Sequence, residues 1–373
     1  MSIPFEIKGW CPGALRPMES GDGLVVRVRP HGGRLTRAEA LVIAAGARRY
    51  GNGLIDLTSR ANVQLRGVSQ ATYPLLIEHL ASAGLIDGDV ALESRRNIVV
   101  TPFGTGEARA QTLAIAAALE AALVNAPSLP GKFGFAVDAA ERRVLGETSA
   151  DIRIERDRSG AIIVRADGAP LGCRAAVEDA AETALRLARW FVDSGGVSDG
   201  RGRMALHLKR GAQIPPELAG TTEPAPAPEQ HPGKPGATSM GFLVGAEFGQ
   251  LQAEWLDALA ASCSELRVTP WRMLLLVGAG SPPDVAGLIA MPDDPRVRVT
   301  ACTGAPGCPQ ALAPIRDLAR CLAPFVPVDS HLHVTGCAKG CAMPGAAPYT
   351  LLATQQGFSL VRGGSARAAP LRT

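Results

Sequence analysis

Apolar and polar positions partly alternate over LVVRVR (24–29), the two-residue period of a strand with one buried face. The next stretch, TRAEALVIAAGARRYG, changes to a helical period. Thr36 is placed to cap it, and Glu39, three residues on, completes a capping box. LIDLT (54–58) and NVQLRG (62–67) alternate again as two strands around Ser59-Arg60-Ala61, and residues 70–83 read as a helix stopping at Gly84. The order is β-α-β-β-α.

This order is most of a ferredoxin-like split unit. A second block follows: a strand over 97–102, an Ala-rich helix over 107–124, a strand over 132–138, a hairpin from DIRIER and AIIVRA, and a helix over 175–194. Residues 212–238 are dominated by Pro, Ala and Gly without an apolar face, and read as a linker. Beyond it the first pattern restarts: a strand at MGFLVGAEFG, a helix over 250–263, strands at LRVTP and MLLLVG, and a short helix over 281–290. The reading is an α+β protein with an internal duplication. Its expected divisions are 1–85 and 239–295 as ferredoxin-like half-domains, 86–211 and 296–365 as two further domains, and 212–238 between them.

Composition narrows the function. The chain has 373 residues, 20% charged and 46% hydrophobic, which suits a globular protein with more than one core. A net charge of +3 and 4% aromatic residues, without a basic block, give no footing for nucleic acid. No apolar run reaches the length of a membrane span, and MSIPFEIKGWCPG lacks the apolar core of a signal peptide, so a cytoplasmic location with reduced thiols is expected. Eight cysteines in such a compartment point to metal where they cluster.

Four do cluster. ACTGAPGC supplies Cys302 and Cys308, and VTGCAKGCAMP supplies Cys337 and Cys341, a C-x5-C and a C-x3-C pair framed by glycine. The first spacing exceeds the usual zinc pair, whereas thiolates on loops suit a cubane iron–sulfur cluster. Zinc and four packed thiols are the alternatives. Cys173, Cys263 and Cys321 read as packing residues, and Cys11 as a turn residue before Pro12-Gly13.

With TGC before its second pair, the quartet resembles the siroheme-dependent sulfite and nitrite reductases. That resemblance implies a pseudo-twofold duplication of ferredoxin-like units and nitrite/sulfite reductase-type cofactor domains. It also implies a [4Fe-4S] cluster on Cys302, Cys308, Cys337 and Cys341. LTSRANVQLRG (57–67) is similar to the family's anion-binding segment and assigns Arg60 to the anion, with Thr58, Asn62, Gln64 and Arg66 in support. SRRNIVVTP (94–102) adds Arg96 as a second anion-facing arginine with Asn97 beside it, and LPGKFGFAVD (129–138) adds Lys132 as a catalytic lysine. The family's second lysine is replaced by Gly134, which counts against simple anion reduction.

GWCPGALRPMESGDGLVVRVRPHGGRLT, YGNGLIDLTSRANVQLRG and HVTGCAKGCAMPG resemble most closely the precorrin-3B synthase branch of that family. There the tetrapyrrole is the substrate, precorrin-3A, hydroxylated at C20 with closure of a γ-lactone in aerobic cobalamin synthesis. The resemblance implies O2 and NADH as co-substrates, the [4Fe-4S] cluster and a mononuclear non-haem iron; siroheme belongs only to the reductase alternative. Arg16, Arg27, Arg29, Arg60, Arg66 and Arg96 suit a polycarboxylate ring. His331 and His333 share one face of an expected strand and are candidates for iron or tetrapyrrole. No G-x-G-x-x-G opens a helix, so electrons are expected from a separate NADH-linked donor or ferredoxin-type reductase. A monomer is expected. An iron–sulfur carrier or a zinc-stabilised module is the non-enzymatic alternative.

Overall fold

The computed structural model describes residues 11–229 and 233–369. Trp10 of the GWCPG segment, the start of the chain and 230–232 of the expected linker lie outside them.

The first unit runs β1 (Met18–Ser20), β2 (Gly23–Val28), β3 (Arg34–Leu35), α1 (Arg37–Tyr50), β4 (Leu54–Leu57), β5 (Val63–Val68) and α2 (Tyr73–Ala81). Thr36 caps α1 as expected: its side chain accepts from Glu39 N while the Glu39 carboxylate accepts from Thr36 N. The second block runs α3 (Val90–Arg95), β6 (Ile98–Val100), α4 (Gly106–Ala122), β7 (Phe135–Asp138), β8 (Ile152–Arg156), β9 (Ile162–Ala166), β10 (Cys173–Arg174), α5 (Ala180–Asp193), α6 (Met204–Lys209) and α7 (Pro216–Ala219). The unit is then repeated as β11 (Gly236–Thr238), β12 (Gly241–Ala246), β13 (Gln250–Gln252), α8 (Ala253–Ala261), β14 (Glu265–Val268), β15 (Met273–Val277) and β16 (Leu288–Ile289). The chain ends with β17 (Val299–Ala301), α9 (Arg316–Leu322), β18 (Leu332–Thr335), β19 (Ala347–Thr354) and β20 (Gly357–Gly364).

The pseudo-twofold is visible in the strand register. One sheet has the order β1-β2-β5-β4-β13 and another β11-β12-β15-β14-β3, so each half lends a short strand to the other's sheet. Leu35 pairs with Leu266, and Leu251 with Ile55, at corresponding places. This exchange fuses the two units around one apolar core containing Val26, Leu35, Ile55, Leu65, Leu251, Leu266 and Leu276. The β6–β9 ladder is parallel, parallel, antiparallel, and β17–β20 repeats that order. Each of these sheets carries a helix between its first two strands and packs it over a separate core.

Four local expectations are corrected. Residues 250–252 are strand rather than helix, because they complete the other unit's sheet. Residues 281–290 form no helix: Pro282 and Pro283 remove N–H donors, and Leu288–Ile289 pairs with β12 instead. α5 begins at Ala180 rather than 175, after a turn closed by Asp179 N on the Ala176 carbonyl. Part of the Pro/Ala-rich stretch is docked rather than free: Thr222 bridges to Gly172 and Pro224 to Asp157, and Leu218 is buried in the second core.

Candidate functional site

The loop after β17 carries Cys302 and Cys308, and the loop after β18 carries Cys337 and Cys341. Parallel pairing of these strands (Ala301 with Val334) places both loops at one edge of the sheet. Gly304 and Gly340 have φ of 72° and 62°, the left-handed conformation that lets each loop curl back. Cys308 N donates to the Gly304 carbonyl at 2.8 Å, and Gly336 N points at Cys302 Sγ at 3.3 Å. All four thiols are free. Burial raises the Cys337 and Cys341 pKa values, Lys339 opposes this, and the other cysteines raise them further.

The two loops thus bring the four thiols to one edge of the sheet. Yet among the described residues no three or more His, Cys, Asp or Glu side chains close on a single metal ion. Thiols gathered on two adjacent loops without a single-ion site among them suit a bulkier body. An iron–sulfur cubane fits this set, with thiolates as ligands and Gly336 N as a donor to sulfur. The mononuclear iron implied by the resemblance does not fit: the described residues bring no donor set together for it.

The cysteine edge opens on a cavity of about 260 Å³ whose lining includes Arg27, Thr58, Gln64, Arg272, Arg316, Cys302 and Cys341. Gln64 Oε1 accepts from Arg27 Nε at 3.0 Å and Nη2 at 2.6 Å, leaving the buried Arg27 Nη1 without a partner. Arg316 Nε donates to the Cys302 carbonyl at 3.4 Å, and Arg272 Nη2 to the Ala342 carbonyl at 3.2 Å, so two cations brace the cysteine loops.

A second cleft of about 540 Å³ is lined by Cys11, Arg16, Arg29, Glu93, Gly131 and Arg201 among others. Arg29 is 5% exposed and pairs with Glu93 at 3.4 Å, but its Nε and Nη1 have no hydrogen-bond partner. Burial holds the Arg29 pKa down at about 10. Glu93 anchors the segment after Cys11 by accepting from Ala14 N at 2.5 Å and Leu15 N at 3.2 Å. A Cβ at Gly13 would lie 2.0 Å from Glu93 Oε2, so this turn needs glycine. Cys11 lies on the wall of this cleft. Burial disfavours its thiolate, but Arg27, Arg60 and Lys132 outweigh that and hold its pKa below the ordinary value.

Four of the expected site residues, Thr58, Gln64, Cys302 and Cys341, line the smaller cavity. Thr58 lines the smaller cavity and its Oγ1 accepts from Arg60 N and Asn62 N at 3.3 and 3.1 Å, shaping the turn that presents Arg60. Arg60 Nη2 donates to the Lys132 carbonyl at 3.0 Å. A Cβ at Gly134 would lie 3.3 Å from Arg60 Nη1, so the glycine in place of the second lysine leaves room for this guanidinium.

Two arginines are placed elsewhere. Arg96, expected to face an anion, is 4% exposed and spent on Asp87 (2.7 and 2.9 Å) and the Arg29 carbonyl (2.9 Å). Arg66 is held by Asp22 at 2.6 and 2.8 Å and by Asp56 at 3.1 Å, and donates to the Gly307 carbonyl at 3.0 Å, next to Cys308. It latches the first cysteine loop to the first unit. Asn97 is buried and donates to the Ser94 and Phe133 carbonyls at 2.8 and 3.1 Å, fixing the segment that carries Lys132. Asn62 is buried beneath the Arg60 turn.

The histidines part ways. His331 Nε2 meets Thr300 Oγ1 at 2.8 Å just before β18 begins. His333 is 0% exposed, and burial, then His331 and Arg272, hold its pKa at about 4. Cys321, expected to pack, is exposed.

Arg272 and Arg316 escape a motif search, but the duplication locates the first. Register makes TSRAN (58–62) the counterpart of TPWRM (269–273), and Ala61 and Arg272 share a positive φ of 53° and 59°. Arg316 donates to the carbonyl after β17 as Arg109 donates at 3.2 Å to the Thr101 carbonyl after β6, in the half without the cysteine quartet.

Residues 16–83 match the nitrite/sulfite reductase ferredoxin-like half domain. A protein of Sinorhizobium sp named precorrin-3B synthase is 29% identical across 97% of this chain and 84% of its own. A ferredoxin–nitrite reductase of Leptolyngbya laminosa is 33% identical, but over 25% of this chain and 18% of its own length. The structure of Mycobacterium tuberculosis NirA protein superposes with a TM-score of 0.66 at 17% identity, covering 94% of this chain and 77% of that one. The fold is thus of the nitrite/sulfite reductase type. Likeness to precorrin-3B synthase runs the length of the chain. Among the described residues no helix is long and apolar enough to cross a membrane.

Proposed function

We propose that the chain is a precorrin-3B synthase: an oxidoreductase that hydroxylates precorrin-3A at C20 and closes a γ-lactone, using O2 and NADH-derived electrons from a separate donor. One oxygen atom enters the product and the other leaves as water with two electrons and two protons. The observation that carries this reading is the cysteine edge opening on an arginine-lined cavity. The full-length likeness to a named precorrin-3B synthase supports it.

Cys302, Cys308, Cys337 and Cys341 would hold a [4Fe-4S] cluster, which would supply one-electron transfer. The remaining chemistry belongs to the side chains. Precorrin-3A carries acetate and propionate arms, and guanidinium forks bind carboxylates in two-point geometry. Arg60 and Arg27 hold the ring near the cysteine edge, with Gln64 orienting Arg27 and Thr58 shaping the Arg60 turn. Arg29, whose buried Nε has no hydrogen-bond partner, offers a carboxylate contact in the larger cleft. Lys132, exposed and tethered through its carbonyl to Arg60, is positioned to donate a proton at the rim.

Anaerobically purified protein, supplied with precorrin-3A and a reducing system and then exposed to 18O2, is expected to yield the hydroxylactone carrying one 18O atom by mass spectrometry. Cluster-loaded protein that makes no such product, but carries a Soret-absorbing tetrapyrrole and reduces nitrite or sulfite, would instead be a siroheme reductase.

A further inference from the structure

We infer that His333 donates a hydrogen bond to the iron–sulfur cluster and thereby sets its reduction potential. The inference rests on the reading that Cys302, Cys308, Cys337 and Cys341 hold a cluster.

His333 lies in the middle of the four-stranded sheet, paired with Thr300 of β17 and Thr350 of β19. Leu332 and Val334 turn into the apolar core beneath α9, so alternation sends His333 and Thr335 to the opposite face. That face carries the second cysteine loop: Thr335 Oγ1 donates to the Cys337 carbonyl at 2.9 Å. Gly340, between Cys337 and Cys341, sits over the imidazole, and a Cβ built on it would lie 3.7 Å from His333 Cε1. Cε1 is the ring atom between the two nitrogens, so the edge bearing them meets the cysteine loop.

Both nitrogens are buried without a hydrogen-bond partner, and the residue is 0% exposed. Buried polar groups are almost always satisfied, and an imidazole with neither nitrogen engaged asks for a partner that the protein chain does not supply. A cluster held by the four cysteines would offer sulfur acceptors to these nitrogens. The duplication sharpens the point. Register makes Ala136 the first-half counterpart of His333, and Ala136 packs in the common apolar core. The imidazole thus occurs only in the half that has the cysteine quartet. Hydrogen bonds to cluster sulfurs stabilise the reduced form, which carries one more negative charge, and raise the potential.

The test uses wild-type holoprotein labelled with 15N-histidine, reduced and examined by pulsed EPR. A weak 15N coupling to the cluster spin is expected; its absence, or its persistence in His333→Gln, overturns the inference. In His333→Leu the reduction equilibrium should move about ten-fold toward the oxidised cluster, about 59 mV lower for one electron. His333→Gln, which keeps an N–H, should fall between this variant and wild type. A fully loaded His333→Leu protein with the wild-type potential also overturns it. Should that variant fail to load, the labelled wild-type and His333→Gln spectra decide alone. Wild-type protein without iron and sulfide defeats the cluster reading itself, a result distinct from an unaltered potential.

Discussion

Arg60 donates through Nη2 to the backbone carbonyl of Lys132 at 3.0 Å, so the turn after β4 and the segment before β7 present their cations as one unit. A single charge-assisted hydrogen bond contributes about 1.5–3 kcal/mol. Arg60→Ala should therefore keep the cluster and lower kcat/KM for precorrin-3A roughly 10- to 100-fold. Steady-state kinetics with iron analysis on the same sample checks both halves of this expectation.

Gly134 is the complementary test. An added methyl would lie 3.1 Å from the Asn97 carbonyl oxygen and 3.3 Å from Arg60 Nη1, closer than an ordinary contact. Gly134→Ala should push the guanidinium aside and cost about ten-fold in kcat/KM, with cluster absorbance unchanged, because small misplacements of a positioning group are expensive. Wild-type kinetics in this variant would show that Arg60 does not need the space.

Arg66 is 4% exposed and binds two carboxylates and the Gly307 carbonyl. Removing one partner of such a network leaves charge uncompensated, at about 3–5 kcal/mol. Arg66→Ala should lower unfolding free energy by about 3 kcal/mol, the smaller end because Asp22 keeps 20% of its side-chain surface in water. Arg66→Lys should restore only part, since an ammonium cannot span the same acceptors. Denaturant titration reads both.

Asp138 gives a pH signature. It is 2% exposed, and burial raises its pKa from 3.8 to about 6 despite hydrogen bonds from Val144 N and Leu145 N. A raised folded pKa means that the folded state holds the proton longer. The associated stability is complete below about pH 4 and is lost as pH rises through about 6. Relative to Asp138→Asn, which cannot ionise, wild type should lose up to about 3 kcal/mol between pH 4 and 7. Parallel stability curves for the two proteins would contradict this.

Much of this arrangement is legible in the sequence because it is local. The Thr36–Glu39 box, the strands around Arg60 and the paired cysteine loops each carry their signal within a dozen residues. What escapes is long-range. Nothing within Gln250–Gln252 says strand, because its partner is Asp56–Leu54 in the other half. Arg96 carries a motif's signature, yet Asp87 claims its guanidinium. Arg272 takes its place at the cysteine edge through a positive-φ turn whose first-half copy holds Ala61. Cys11 reads as a turn residue until the fold brings Arg27, Arg60 and Lys132 around it.

The most direct measurement is the iron and acid-labile sulfide content of anaerobically purified wild-type protein beside Cys341→Ser. About four of each per wild-type chain, with broad visible absorption that is lost in the variant, is the predicted result. Wild-type protein containing zinc, or neither iron nor sulfide, or a Cys341→Ser protein with its full complement, would contradict a cluster held by these four cysteines.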